Sequence, residues 1–174
     1  MGVPGLAPSR IGTEAEIEAL KHGVAQFYPM LEGYPVLSEE ASRFVKNFMD
    51  VDIRPEGIIP TVGAMQASYV AFMALTECHK GKDTILFIDP GFPVQKTQLE
   101  VIGKPYQTFD IYEYREEKLE AKLREYLDRG NIAGIVYSNP NNPSWVCLTD
   151  FELQVIGKLA TEYDTIILED LAYF

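Results

Sequence analysis

The chain has 174 residues, with 15 Lys+Arg against 26 Asp+Glu and a formal net charge of −11. With 47% hydrophobic and 24% charged residues it can bury a sizeable core and is not a disordered tail. The acidic balance, with no basic stripe anywhere, excludes nucleic acid and anionic membrane as partners, since both require clustered Lys and Arg.

The longest apolar runs, such as Ile132–Val136, are strand-sized, so no membrane span is expected. The start, Met1-Gly-Val-Pro-Gly-Leu-Ala-Pro, lacks the charged and apolar regions of a signal peptide. Cys78 and Cys147 match neither a zinc pair nor a redox motif and read as reduced thiols of a cytoplasmic protein.

In chain order, Thr13-Glu-Ala-Glu16 has the form of a capping box opening a helix to about Phe27. Ser38 is expected to cap a second helix, whose Ala41, Phe44, Val45, Phe48 and Met49 share one face. Ile58–Val62 reads as a short strand kept near an edge by Pro60. Gly63 opens a helical run from Ala64 to His79. Apolar strands then alternate with amphipathic helices: strand Thr84–Ile88, helix Gln95–Ile102, strand Tyr106–Phe109, charged helix Glu116–Arg129, strand Ile132–Val136, helix Asp150–Tyr163 and strand Thr165–Glu169. Near-continuous β-branched runs between helices imply strands covered on both faces, hence an α/β fold with a mainly parallel sheet. Asp170-Leu-Ala-Tyr-Phe174 follows the last strand with no helix to cover it, so the chain is expected to be part of a larger subunit.

In such a sheet, ligands bind beyond the carboxyl ends of the strands, and four loops there carry unusual residues. In Thr61-Val-Gly63-Ala-Met-Gln66, Gly63 permits a sharp turn and leaves the amides of Ala64 and Met65 free at a helix N-terminus, where a phosphate can bind. Neither a Walker loop nor a G-x-G-x-x-G fingerprint is present, and a plain strand–turn–helix junction has the same residues. Asp89-Pro-Gly-Phe92-Pro93 holds an aromatic ring at a strand end, either as a stacking platform or as a cap over the core. Ser138-Asn-Pro-Asn-Asn142-Pro-Ser-Trp145 offers an amide donor in Asn142, or Asx turns that only shape the loop. Glu169-Asp170-Leu-Ala-Tyr173 ends a buried strand with carboxylates, which suit a buried cationic nitrogen, and adds a phenol.

A phosphate site, an aromatic platform, an amide donor, and an acid with a phenol are the requirements of a phosphorylated, cationic, flat pyridine ring. In this order the segments resemble the pyridoxal-phosphate aminotransferases of fold type I, the class I/II family, most specifically at Asn139-Pro-Asn-Asn-Pro143 and Asp170-Leu-Ala-Tyr173. The resemblance implies pyridoxal 5'-phosphate as cofactor, and an amino acid and a 2-oxo acid as substrates. It implies that the Ala64 and Met65 amides hold the phosphate, that Phe92 stacks on the ring, and that Asn142 and Tyr173 bond its O3′. Asp170 would keep the ring nitrogen protonated, making the ring an electron sink. Tyr28-Pro-Met-Leu-Glu-Gly33 resembles the family's Tyr-x4-Gly segment, whose Tyr reaches the neighbouring subunit's phosphate and so implies a homodimer. Gly2-Val-Pro4 resembles, more loosely, the strip lining the substrate carboxylate pocket. Residues 1–8 then correspond to an N-terminal arm at the edge of the small domain, and 9–174 to part of the large cofactor-binding domain.

Three departures stand out. Phe92 occupies a position often held by Tyr or Trp, Asn142-Pro-Ser-Trp145 replaces Asn-Pro-Thr-Gly, and Ala64 replaces a hydroxyl residue. The family's cofactor-bonding Lys and carboxylate-binding Arg fall after Phe174. The lysines present all lie in segments read as helix or loop away from the strand ends, and the fragment alone is expected to be inactive. The same cofactor site serves lyases, cyclopropane-carboxylate synthases and decarboxylases, and some transcription regulators carry the fold as an effector-sensing module. His22 and His79 have no partnering motif, and Glu116–Arg129 reads as a solvated face.

Overall fold

The structure, a computed structural model, describes residues 5–173. The chain divides into two compact units, with the boundary after Pro60.

In the first unit, α1 (Arg10–Lys21) and α2 (Pro35–Met49) are joined by turns and extended segments. Helix α1 begins three residues before the expected Thr13. Ser9 is its N-cap and its Oγ accepts from the Gly12 amide at 3.4 Å, so the Thr13–Glu16 box is not formed. Helix α2 begins at Pro35, whose fixed φ suits a first helical position, so Ser38 lies inside the helix rather than capping it. Ile58–Val62 is not a strand: a 3-10 turn at Pro55–Gly57 precedes it, and Pro60 has no amide to give a ladder. Phe27, Tyr28, Met30 and Leu31 are all exposed, and Ser38 is buried.

The second unit is built on β1 (Thr84–Asp89), β2 (Tyr106–Asp110), β3 (Ile132–Ser138) and β4 (Ile166–Asp170), ordered β2-β1-β3-β4 with every pairing parallel. Helices α3 (Gly63–Cys78) and α4 (Pro93–Ile102) cover one face, and α5 (Glu117–Leu127) and α6 (Asp150–Glu162) the other. The two-residue period of a strand divides β1 between them. Ile85 and Phe87 pack with Phe72, Leu75 and Leu99, whereas Leu86 and Ile88 pack with Leu119, Leu123, Ile156 and Leu159. Each such buried side chain contributes about 1.5–3 kcal/mol. Gly134 in β3 lets α3 lie close to the sheet, since a Cβ there would come within 3.1 Å of Leu75 Cδ1.

At the corner where α5 and α6 begin, Glu152 is fully buried and fully bonded. It forms a reciprocal capping box with Thr149, with N···O distances of 3.2 and 2.9 Å. It also accepts from Arg115 at 2.5 and 2.7 Å and from the Glu116 amide at 3.0 Å. Burial alone would raise its pKa, but the bonds from Arg115 and the backbone amides outweigh burial and hold the carboxyl below the usual range.

From β1 the chain moves outward to β2, then returns across β1 to reach β3. The loops leaving β1 and β3 therefore diverge, and this divergence opens a crevice at the carboxyl end of the sheet.

Candidate functional site

That crevice, on the α3/α4 face, encloses about 190 Å3. Its walls are Ala64, Met65 and Ser68 of α3, Phe92, Val94, Gln95 and Gln98 at the start of α4, Ser138 and Asn142 beyond β3, and Asp170, Ala172 and Tyr173 at the end of β4. All six cofactor-site residues expected in this unit thus meet in one cleft. Tyr28 belongs to the first unit, where it is completely exposed. Gly2 lies outside the described residues.

At the α3 wall, Gly63 adopts φ +72, a left-handed conformation open to glycine, and no side chain caps the helix. The first-turn amides of Ala64 and Met65 therefore keep their donor capacity and the positive end of the helix dipole. The Gln66 side chain satisfies Val62, one residue before the helix, at 2.5 Å. Ser68 Oγ donates to Gln98 Oε1 at 2.8 Å, and Gln98 Nε2 donates to the Met65 carbonyl at 2.8 Å, tying the N-terminal halves of α3 and α4 together.

The asparagines beyond β3 divide the two roles open to that loop. Asn141, 8% exposed, is its internal brace: its Nδ2 donates to Pro90 O at 2.6 Å and its Oδ1 accepts from Ser144. Asn139 Oδ1 accepts from the Leu148 amide at 3.1 Å. Asn142 faces the cleft, and its Nδ2 donates to the Tyr173 hydroxyl at 3.0 Å. The Asn141 bond to Pro90 also fixes the loop carrying Phe92, whose ring is half-buried at the cleft wall.

Asp170 accepts from Gln95 Nε2 on Oδ2 at 2.9 Å and from the Ala172 amide on Oδ1 at 3.1 Å. Both donors are neutral, and among the described residues no Lys, Arg or His forms an ion pair with it. Lys96 corrects the expectation that no lysine sits at a strand end: its Nζ bonds Asp89 Oδ2, at the end of β1, at 2.5 Å. It does not line the cleft. Gln95, Ser68 and Gln98 were not anticipated. The spacing of buried Gln95 and Leu99, one turn apart on an amphipathic helix, was the available signal.

An uncapped helix N-terminus, a half-buried ring, an amide–phenol pair and an acid lacking a protein cation form a donor set that fits an anionic, flat, cationic-nitrogen ligand. Among the described residues no group of three His, Cys, Asp or Glu can hold a metal. Residues 5–174 match the family described as aminotransferase class I and II. The chain belongs to this family.

An aspartate aminotransferase of Pyrococcus horikoshii is 30% identical, with 99% of this chain and 43% of that protein covered. An asparagine–oxo-acid transaminase of Streptococcus mutans is 24% identical over the same shares. The solved alanine aminotransferase of Pyrococcus furiosus superposes with a TM-score of 0.79 at 26% identity, covering 95% of this chain and 41% of that one. The Thermus thermophilus aspartate aminotransferase with maleate gives 0.81 at 22% identity, which supports the fold. The chain thus spans less than half the length of these relatives. Among the described residues no helix is long and apolar enough to cross a membrane.

Proposed function

We propose that this chain supplies the cofactor cradle of a pyridoxal 5'-phosphate-dependent aminotransferase, which moves an amino group between an amino acid and a 2-oxo acid. The observation that carries the reading is Asp170, an acid in the cleft braced by neutral donors and left without a protein cation.

In this reading the Ala64 and Met65 amides bind the phosphate, and Phe92 packs against the ring. Asn142 and Tyr173, already bonded to each other, present donors to the ring hydroxyl. Asp170 holds a proton on the ring nitrogen. When bound, the cofactor withdraws electrons from the carbon carrying the amino group. The surrounding walls position it and limit access of water. Among the described residues no lysine lines the cleft, and in this reading the lysine that bonds the cofactor is supplied by another part of the full protein. Residues 1–8 are assigned to an N-terminal arm and 9–174 to the large domain. Full exposure of Tyr28 supports a homodimer in which it reaches the neighbouring subunit's cofactor. The free thiols Cys78 and Cys147 are in keeping with a cytoplasmic location.

The test is titration of the full protein with pyridoxal 5'-phosphate, followed by tryptophan fluorescence, to which Trp145, 78% exposed in the loop after β3, contributes. Saturable quenching that inorganic phosphate reverses is expected, followed by bleaching of the visible band on adding an amino acid. Absence of saturable binding overturns the reading.

A further inference from the structure

We infer that Gln95 is a positioning residue for this site: it fixes the plane of the Asp170 carboxylate without neutralising it, and couples that acid to the aromatic wall through one turn of α4. The inference rests on the cofactor reading above.

Gln95 is 6% exposed, and a buried primary amide is unfavourable unless it is bonded. Its Nε2 donates to Asp170 Oδ2 at 2.9 Å, joining α4 to the end of β4. Asp170 Oδ1 is held in turn by the Ala172 amide at 3.1 Å. With one donor on each oxygen, the carboxylate cannot rotate without breaking a bond, and each oxygen retains a lone pair for a ligand N–H.

The chemical type of the donor matters as much as its position. A Lys or Arg at this place would neutralise the charge that a protonated ring nitrogen requires, and an acid would compete for the same proton. An amide does neither.

Its place in the chain adds the coupling. Phe92 is the N-cap of α4, and the Gln95 amide donates to the Phe92 carbonyl at 3.2 Å. The ring wall and the brace of the acid therefore share one helical turn. The next residue, Lys96, anchors that turn to Asp89 at the end of β1. A displacement of the Phe92 loop would carry the donor of Asp170 with it.

Pyridoxine 5'-phosphate is a suitable probe. It has the ring, the nitrogen and the phosphate of the cofactor but no aldehyde, so it needs no lysine, and its ring spectrum reports protonation of the nitrogen. The full protein, Gln95→Leu and Gln95→Asn are to be titrated with it across pH, with melting curves to verify folding. Leu keeps the volume without the donor; Asn keeps the amide one methylene short. The unsubstituted protein is expected to hold the ring nitrogen protonated to higher pH than in free solution. Gln95→Leu should bind about tenfold more weakly, as loss of a hydrogen bond to a charged group implies. Its bound ring should also lose the proton at lower pH, with Gln95→Asn between the two. If Gln95→Leu matches the unsubstituted protein in affinity and titration, or if both variants weaken binding equally with no change in titration, Gln95 only fills space and the inference fails. If the unsubstituted protein does not bind the probe, the cofactor reading fails, and the inference with it.

Discussion

Glu152 and Asp170 are both carboxylates near the ends of regular elements of the same α/β unit, and the protein surrounds them in opposite ways. Glu152 is fully buried, and its carboxylate takes a two-pronged guanidinium from Arg115 and the backbone amides of Glu116 and Thr149. Asp170 faces a cleft and takes one side-chain amide and one backbone amide. A carboxylate whose cation is built into the protein holds two helices together. One given only neutral donors stays available to a cation from outside.

The largest effect should come from breaking the first arrangement. Arg115→Ala leaves the Glu152 charge buried and unpaired and should destabilise folding by about 3 kcal/mol, measured by denaturant unfolding. The same acid gives the pair a pH signature. Its pKa is lowered in the folded state, so its contribution is present above the ordinary glutamate range and is lost as pH falls through the folded value.

A neutral buried group provides a contrast to both acids. Burial, with the nearby Glu169 charge, pushes the Tyr137 phenol from its usual value near 10 up to about 12. The unfolded chain therefore loses this proton first, so stability should fall between about pH 10 and pH 12, by roughly 2–3 kcal/mol. Tyr137→Phe should remove that part of the alkaline loss when the two unfolding curves are compared across pH.

At the cleft, Asp170→Asn keeps shape but removes charge. It should weaken pyridoxal 5'-phosphate binding by about tenfold or more while leaving the melting temperature nearly unchanged, which calorimetry can check. Parity of Asp170→Asn with Arg115→Ala in stability loss would break the comparison. The smallest effect is expected from Thr149→Ala, which removes one half of the capping box and should cost about 1 kcal/mol in the same unfolding measurement.

The strands were legible because burial on both faces leaves an unmistakable run such as Ile132-Ala-Gly-Ile-Val136. The cleft residues were legible because Gly63, Phe92, Asn142 and Asp170, each compatible alone with an ordinary loop, occur together in a recognisable order. The first unit was read less well. Thr13 and Ser38 have the side chains of caps, yet Ser9 and Pro35 begin their helices earlier, because several positions compete and local preference differs by only about 1 kcal/mol. The box that does form, Thr149–Glu152, opens a helix that the apolar pattern alone was enough to locate. Gln95, Lys96 and Arg115 escaped notice because their partners Asp170, Asp89 and Glu152 are fixed by the fold. Two of these pairs are 75 and 37 residues apart in sequence.

Gly134 bears on the cleft from a distance. It lies under Leu75, in the last turn of α3, while Ala64 and Met65 lie in the first turn of the same rigid rod, roughly 15 Å away at 1.5 Å per residue. A methyl group at residue 134 would press on the end of the Leu75 side chain, which would have to give by a few tenths of an ångström at the far end of α3. The missing side chain beneath α3 thus lets the helix that carries the cleft's amides seat closely on the sheet at its other end.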